Sequence, residues 1–428
     1  MKTLVTLVLA VITALPAAAR AQSTGLAGTW ELALFRFNEP TYNRVKFEVS
    51  GESVTGKSRN LEIAGTLRGQ ILEFEAKNPN GRVMGKFKGT LSGNEMSGEG
   101  DASGTPVRWT ARRAAARPSS PRTHTFEPKE FHRYFSSAIP PVLRIAPGDT
   151  VRTWGVDAGG TDSRGTRRSL GGNPQTGPFF VEGALPGDTL VVRLTRVRLN
   201  RDSAGSGDSV VPTTVGPGYF RNAKRAEDFD SNWKLDRERG VAMLAKPTER
   251  LKNLRIPLAP MLGCVAVAPP GRESFRTGNL GSWGGNMDYN QIREGTTLYF
   301  PVYHPGALLF VGDGHAAQGD GELTGDALET SMDIEFSVDV IEDQDLGSPR
   351  AENDEYVMAI GIAGSMPDAF KRATTEMALW LEREYKLNAN ESAMLLGFAL
   401  RYDVAELIDP QINIVAKIPK SILRQLSK

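Results

Sequence analysis

Gly306-Ala307-Leu308-Leu309-Phe310-Val311-Gly312-Asp313-Gly314-His315-Ala316-Ala317-Gln318-Gly319-Asp320-Gly321-Glu322 decides how this chain is read. An apolar run of strand type breaks into residues that bind a metal or carry a proton, with glycines at 312, 314, 319 and 321 between them. Asp313 and His315 stand two apart, so on an extended backbone they point the same way. Asp320 and Glu322 repeat that spacing. The glycines permit positive φ and remove side chains that would block a small substrate. Chemistry at the mouth of a β-structure is expected, with imidazole and carboxylate sharing one face of a mononuclear metal site. The plainer alternative is a glycine-rich turn whose Asp and His cap the backbone.

Outward from this stretch, composition sets bounds. The 428 residues leave room for two or three domains with real cores. Charge is almost balanced, 51 basic against 50 acidic residues, and no basic stripe carries interleaved aromatics, so no nucleic-acid partner is expected. The 45 glycines and 26 prolines suit a turn-rich β-protein. Lys2, the apolar core Leu4 to Leu15 and Ala19-Arg20-Ala21 read as a signal peptide over residues 1–21, too short an apolar run to span a membrane. A periplasmic or secreted protein is expected, with no membrane span once the signal is removed. The single cysteine, Cys264, excludes an intrachain disulfide and lies in an apolar run as a structural thiol.

Residues 24–113 alternate in short segments separated by Gly, Asn and Ser turns, with Asn80-Gly81 a tight-hairpin signal. About eight strands at regular spacing predict a small antiparallel barrel or meander, free of histidine. Residues 114–123 read as a linker. From 124 to 428 the pattern is mainly β, with a polar, irregular insertion or lid at Asn200 to Arg250. Apolar residues at 370, 373, 377, 380 and 381 predict a helix from Pro367 to Leu387, and a second runs from Glu391 to about Leu400. A strand-like run, 412–418, follows, and the helical hairpin reads as packing material.

Two further constellations carry chemistry. Gly284-Gly285-Asn286-Met287-Asp288 presents an amide and a carboxylate at the same spacing, and is equally an ordinary turn. In Phe179-Phe180-Val181-Glu182-Gly183, Glu182 ends an apolar strand among uncharged neighbours. Desolvation would raise its pKa into the range of a general base or acid; a Glu entering a turn is the alternative. Of the four histidines, His304 reads as a loop-end residue and His132 as a packed one. No nucleophile elbow, His-Glu-x-x-His, P-loop or dinucleotide fingerprint occurs.

Together these segments resemble the acetamidase/formamidase family. The likeness lies in Gly172-Asn173-Pro174-x-Thr176-Gly177-Pro178, Val181-Glu182-Gly183-Ala184-x-Pro186-Gly187-Asp188, Gly284 to Asp288, Leu298-Tyr299-Phe300-Pro301-Val302 and the opening stretch, and runs from about 123 to 425. It implies a β-sandwich-type catalytic domain with appended helices, an α+β arrangement that is mainly β. It also implies hydrolysis of the carbon–nitrogen bond of small linear amides, a divalent metal ion such as Zn or Ca, and a homo-oligomer. On this resemblance Asp313, His315 and Asp288 hold the metal. Glu182, Asp313 and Asn286 are catalytic, Glu182 relaying the proton and Asn286 orienting the amide, while Asn173, Gly285 and Gln318 contact substrate. The signal peptide and the N-terminal β-module depart from the family pattern. Two rival readings share these residues: an exported binding protein without turnover, and a periplasmic esterase or deacetylase.

Overall fold

In Ile71–Lys77 and Thr105–Arg113 every second residue is apolar, and Leu72, Phe74, Ala76, Val107, Trp109 and Ala111 are buried while their neighbours face out. Alternation of this kind recurs in Val83–Ser92 and Glu95–Ala102, and each barrel strand from Gly28–Arg36 onward pairs antiparallel with the next. Trp30 lies opposite Arg113, so the last strand closes on the first and an eight-stranded barrel results. Closure leaves no open sheet edge. Trp30, Phe47, Leu72, Phe74 and Trp109 fill the interior, leaving a cavity of about 50 Å³.

The computed structural model describes residues 25–226 and 228–427, so the expected signal peptide lies outside the described residues. The chain divides after Arg113 into two units, the barrel and a second unit beginning at Ala114. The second unit is built on a nine-stranded and an eleven-stranded sheet. Val192 and Phe336 of the first sheet pack in one core with Phe310 and Val311 of the second. The fold is therefore mainly β and of sandwich type, as expected.

Leu309–His315 is the central strand of the eleven-stranded sheet and is buried along its whole length. Met261–Ala266 pairs with it on one side, with Met261 opposite His315 and Cys264 opposite Gly312. On the other side Gln175–Val181 covers its first half, and Glu329 lies opposite His315. A strand hemmed in this way loses its alternation and reads as a continuous apolar run. Cys264 is buried with its thiol pushed up by burial, as a structural residue should be.

The helices form at Met366–Tyr385 and Ala389–Phe398. Ser365 caps the first, its Oγ accepting from Asp368 N at 3.3 Å, and Lys386 ends it in the left-handed region. This helix lies on Tyr356–Ala363, where a Cβ at Gly361 would strike the backbone of Ala369 and Ala373. The Asn200 to Arg250 stretch differs from its expected irregularity. Ser203–Gly205, Asn232–Asp236 and Val241–Leu244 extend the eleven-stranded sheet, and only the part around the short helix Pro217–Asn222 stays outside it.

Candidate metal centre

Asp313 and His315 come together at the C-terminal end of the central strand, His315 Nε2 lying 3.5 Å from Asp313 Oδ2. The local backbone is not plainly extended, for Asp313 has φ 60°. Asp288 reaches the same point from the turn after Gly284–Asn286, its Oδ1 4.0 Å from His315 Nε2. Asp288, Asp313 and His315 are all buried, and each offers one ligand atom within 4.8 Å of the others. The residues expected to hold a metal are thus neighbours.

Four more carboxylates join them. Glu329, on the strand opposite His315, places Oε1 3.1 Å from His315 Nε2. Glu322 turns inward from the loop after the central strand, in a left-handed conformation of φ 46°. Glu406 ends the edge strand Arg401–Glu406 of the other sheet and is fully buried, brought in by a bridge between Gly321 and Glu406. Asp409 follows it and accepts from Asn286 Nδ2 at 2.8 Å. Asp320, expected to share the face of Glu322, instead points outward and accepts from Asn290 Nδ2 at 2.9 Å.

Amides hold this array in place. Asn286 Nδ2 also donates to Asp288 Oδ2 at 2.6 Å, and Asn173 Nδ2 donates to Asn286 Oδ1 at 2.8 Å and Asp313 Oδ2 at 3.2 Å. The Asn286 Nδ2 protons are thereby spent on carboxylates, while its Oδ1 accepts from Asn173. Gln318 Nε2 donates to the carbonyls of Asp288 and Ala405, so its Oε1 is the acceptor for His315 Nδ1 at 2.9 Å. The Nδ1 proton is fixed there, and Nε2 faces the carboxylates. Gly285 has φ 108° and a Cβ there would strike the carbonyl of Asn279, so it shapes the turn.

Glu182 stands apart, which corrects the reading of its surroundings as uncharged. The Leu143–Ile145 strand pairs parallel with Gln175–Val181 and puts Arg144 Nε 2.6 Å from Glu182 Oε1, on a partly exposed surface. The chain neighbours of Glu182 are apolar, but its spatial neighbour is a guanidinium.

Burial is the main force on the charges. It pushes Asp288 well up, with Glu322 adding to the effect, raises Glu322 to about 10 and lifts Glu329 and Asp409 each to about 7. For His315 burial works against the charged form, but Glu329 and then Asp313 outweigh it and hold the imidazole well above its ordinary range. Four buried carboxylate oxygens, Asp288 Oδ1, Asp313 Oδ1, Glu329 Oε2 and Glu406 Oε2, have no hydrogen-bond partner. A Cβ at Gly263 would lie 2.7 Å from Asp313 Oδ2 and His315 Cε1, and closer still to Asp288 Oδ1. Bare oxygens around one imidazole nitrogen, beside space kept clear by glycine, fit a divalent cation.

Sequence reasoning missed Glu329, Asp409 and Glu406, and also Gly263. The only local sign was a carboxylate next to apolar residues, as in Ala405-Glu406-Leu407. The segment between the helical hairpin and the strand Ile412–Pro419 supplies two of the six carboxylates.

The class so defined is a β-sandwich protein with a buried carboxylate–histidine centre. Residues 258–423 match the sequence profile of the Acetamidase/Formamidase family, which bears out the resemblance seen in the motifs. A formamidase of Methylophilus methylotrophus is 26% identical over 263 residues, 50% of this chain; the chain spans 65% of the length of that curated relative. The solved structure of a recombinant predicted acetamidase/formamidase from Thermoanaerobacter tengcongensis superposes with TM-score 0.60 at 27% identity, covering 72% of this chain and 99% of that one. That of an acetamidase from Yersinia enterocolitica gives TM-score 0.60 at 29% identity, over 71% and 93%.

Proposed function

We propose that this chain hydrolyses the carbon–nitrogen bond of small linear amides to carboxylate and ammonia, assisted by a divalent cation such as Zn or Ca. The observation that carries the reading is the buried group Asp288, Asp313 and His315, with unpartnered oxygens, inside the segment that matches the family. Once bound, the cation would polarise the amide carbonyl and make water a stronger acid. The protein's own groups do the rest. Gln318 holds the His315 ring with Nε2 toward the carboxylates. Asn173 and Asn286 fix Asp313 and Asp288 in place, so the charge distribution needs no rearrangement during reaction. Glu329 takes the proton-moving role expected of Glu182, because it is the carboxyl beside the imidazole. Export to the periplasm or beyond belongs to the same reading and rests on Lys2, Leu4 to Leu15 and Ala19-Arg20-Ala21.

The test is ammonia release from formamide, acetamide and propionamide by purified protein with added Zn, Ca or Mn. Release with at least one amide is expected. Silence on all three with every metal would overturn the assignment.

A further inference from the structure

The N-terminal barrel has two unlike ends. Its strands run up and down in sequence, so the hairpin tips 37–38, 59–60, 78–82 and 103–104 gather at one end and the tips 51–52, 69–70 and 93–94 at the other. Each tip of the second group pairs a glycine with a polar residue, which is ordinary turn chemistry. The first group departs from it.

Phe37 stands there, 84% exposed, at the first place of a two-residue turn, with φ 49°, and Asn38 follows with φ 68°. These are the angles of a type I′ turn, whose first place favours Asn, Asp or Gly. A bulky aromatic residue in the left-handed region is strained, and Asn at the same place would relieve the strain. The ring belongs to none of the hydrophobic cores among the described residues. The turn is nonetheless braced: Arg36 Nη2 donates to the carbonyl of Ala102 at 3.3 Å, and Arg108 Nη2 to Asn38 Oδ1 at 3.4 Å. Strain kept at an exposed, braced tip points to a task other than holding the barrel together.

The surroundings of Phe37 say what it meets. Val83, beside the tip 78–82, is a second exposed apolar side chain at this end. On or beside the four tips stand Arg36, Lys57, Arg59, Lys77, Arg82 and Arg108, against Glu39, Glu62 and Asp101. Positive charge is in excess by two to one. Arg36 and Arg108 bind uncharged oxygens, which leaves their charge to act outward. Asp101 is occupied by the backbone, its Oδ1 accepting from Gly104 N at 2.7 Å. An apolar side chain ringed by guanidinium groups matches the boundary layer of a bilayer, where the ring sits among the upper acyl carbons and arginines meet phosphate.

We propose that this end of the barrel docks the chain on a lipid surface containing anionic headgroups, with Phe37 entering the interface. The inference is separate from the chemistry of the second unit and stands or falls without it.

The experiment floats the whole chain on a density gradient with vesicles of phosphatidylcholine, alone or mixed with phosphatidylglycerol. Flotation with the mixed vesicles is expected, weakening as salt rises, and little with phosphatidylcholine alone. Phe37→Asn should raise the melting temperature while cutting vesicle binding about tenfold, whereas a ring with only a structural part would lower the first and leave the second alone. Arg82→Gln should weaken binding about fivefold. Phe37→Cys carrying a polarity-sensitive dye should shift its emission to the blue on the mixed vesicles; Cys264, the only other thiol, is buried. No flotation with the mixed vesicles, equal flotation with both kinds, or undiminished flotation of Phe37→Asn overturns the proposal. So does complete release by soluble glycerol phosphate, which would reduce the site to a phosphate pocket. Equal capture on polyglutamate beads would likewise overturn it, assigning this end to an acidic protein.

Discussion

At the residue scale, Asp313 and Gly263 do opposite jobs at one point. Asp313→Asn keeps the shape and removes a charge, so bound metal and amide turnover should both fall at least about 100-fold, while the melting temperature moves by only a few degrees. Elemental analysis, the ammonia assay and a thermal melt on one preparation check this; retained activity would remove Asp313 from the machinery. Gly263→Ala adds a methyl group where Asp288, Asp313 and His315 meet. It should weaken metal binding and cost about 1–3 kcal/mol by overpacking, read by metal titration and denaturant unfolding. Asp313 and His315 were legible in the sequence because two ligand-type residues broke an apolar run amid glycines. Glu182 misled because Arg144, its actual partner, arrives through a parallel strand pairing that no local pattern announces. Gly263 gave no signal, since a glycine inside Met261 to Ala268 looks like packing until the carboxylates beyond it are seen.

At the scale of elements, apolar period was enough for the helices and for the barrel strands. Ser365 was the cap of the first helix, and Ser365→Ala should cost about 1 kcal/mol in thermal unfolding without altering turnover per bound metal. A change in turnover would mean that the helix seats the centre and does not merely cover the strands beneath it. The polar stretch from Asn200 was harder. Its strands are short and sit at the end of a sheet, where burial no longer imposes strict alternation. One tie between it and the centre is visible. The Arg201 guanidinium, almost wholly buried, binds Asp157 Oδ2 at 2.6 Å and the carbonyls of Thr161, Asp162 and Glu329. Arg201→Met leaves Asp157 without its partner and should destabilise the fold by about 3–5 kcal/mol in denaturant unfolding. Near-wild-type stability would show that water replaces the guanidinium there.

For the molecule as a whole, two expectations follow from where charges and units lie. Asp149 is inaccessible. Burial works against its ionisation, but bonds from Ala146 N at 3.0 Å, His124 Nε2 at 2.8 Å and Arg122 N at 2.8 Å win, lowering its pKa to about 2. A carboxyl depressed from 3.8 to about 2 adds stability that is complete above about pH 4 and lost as pH falls toward 2. That share is on the order of 2 kcal/mol, and Asp149→Asn should flatten this part of the stability–pH curve; an unchanged curve would assign acid lability elsewhere. Every residue of the centre comes from the second unit, so a chain starting at Ala114 should keep its turnover per bound metal. Loss of turnover in a folded truncation would give the barrel a part in the chemistry. The order of the ligands along the chain sets a timetable. Asp288, Asp313 and His315 leave the ribosome well before Glu406, whose strand needs Ile412–Pro419 beside it before it is held. The centre is therefore incomplete until Ile412–Pro419 has been made and has paired with the strand that carries Glu406.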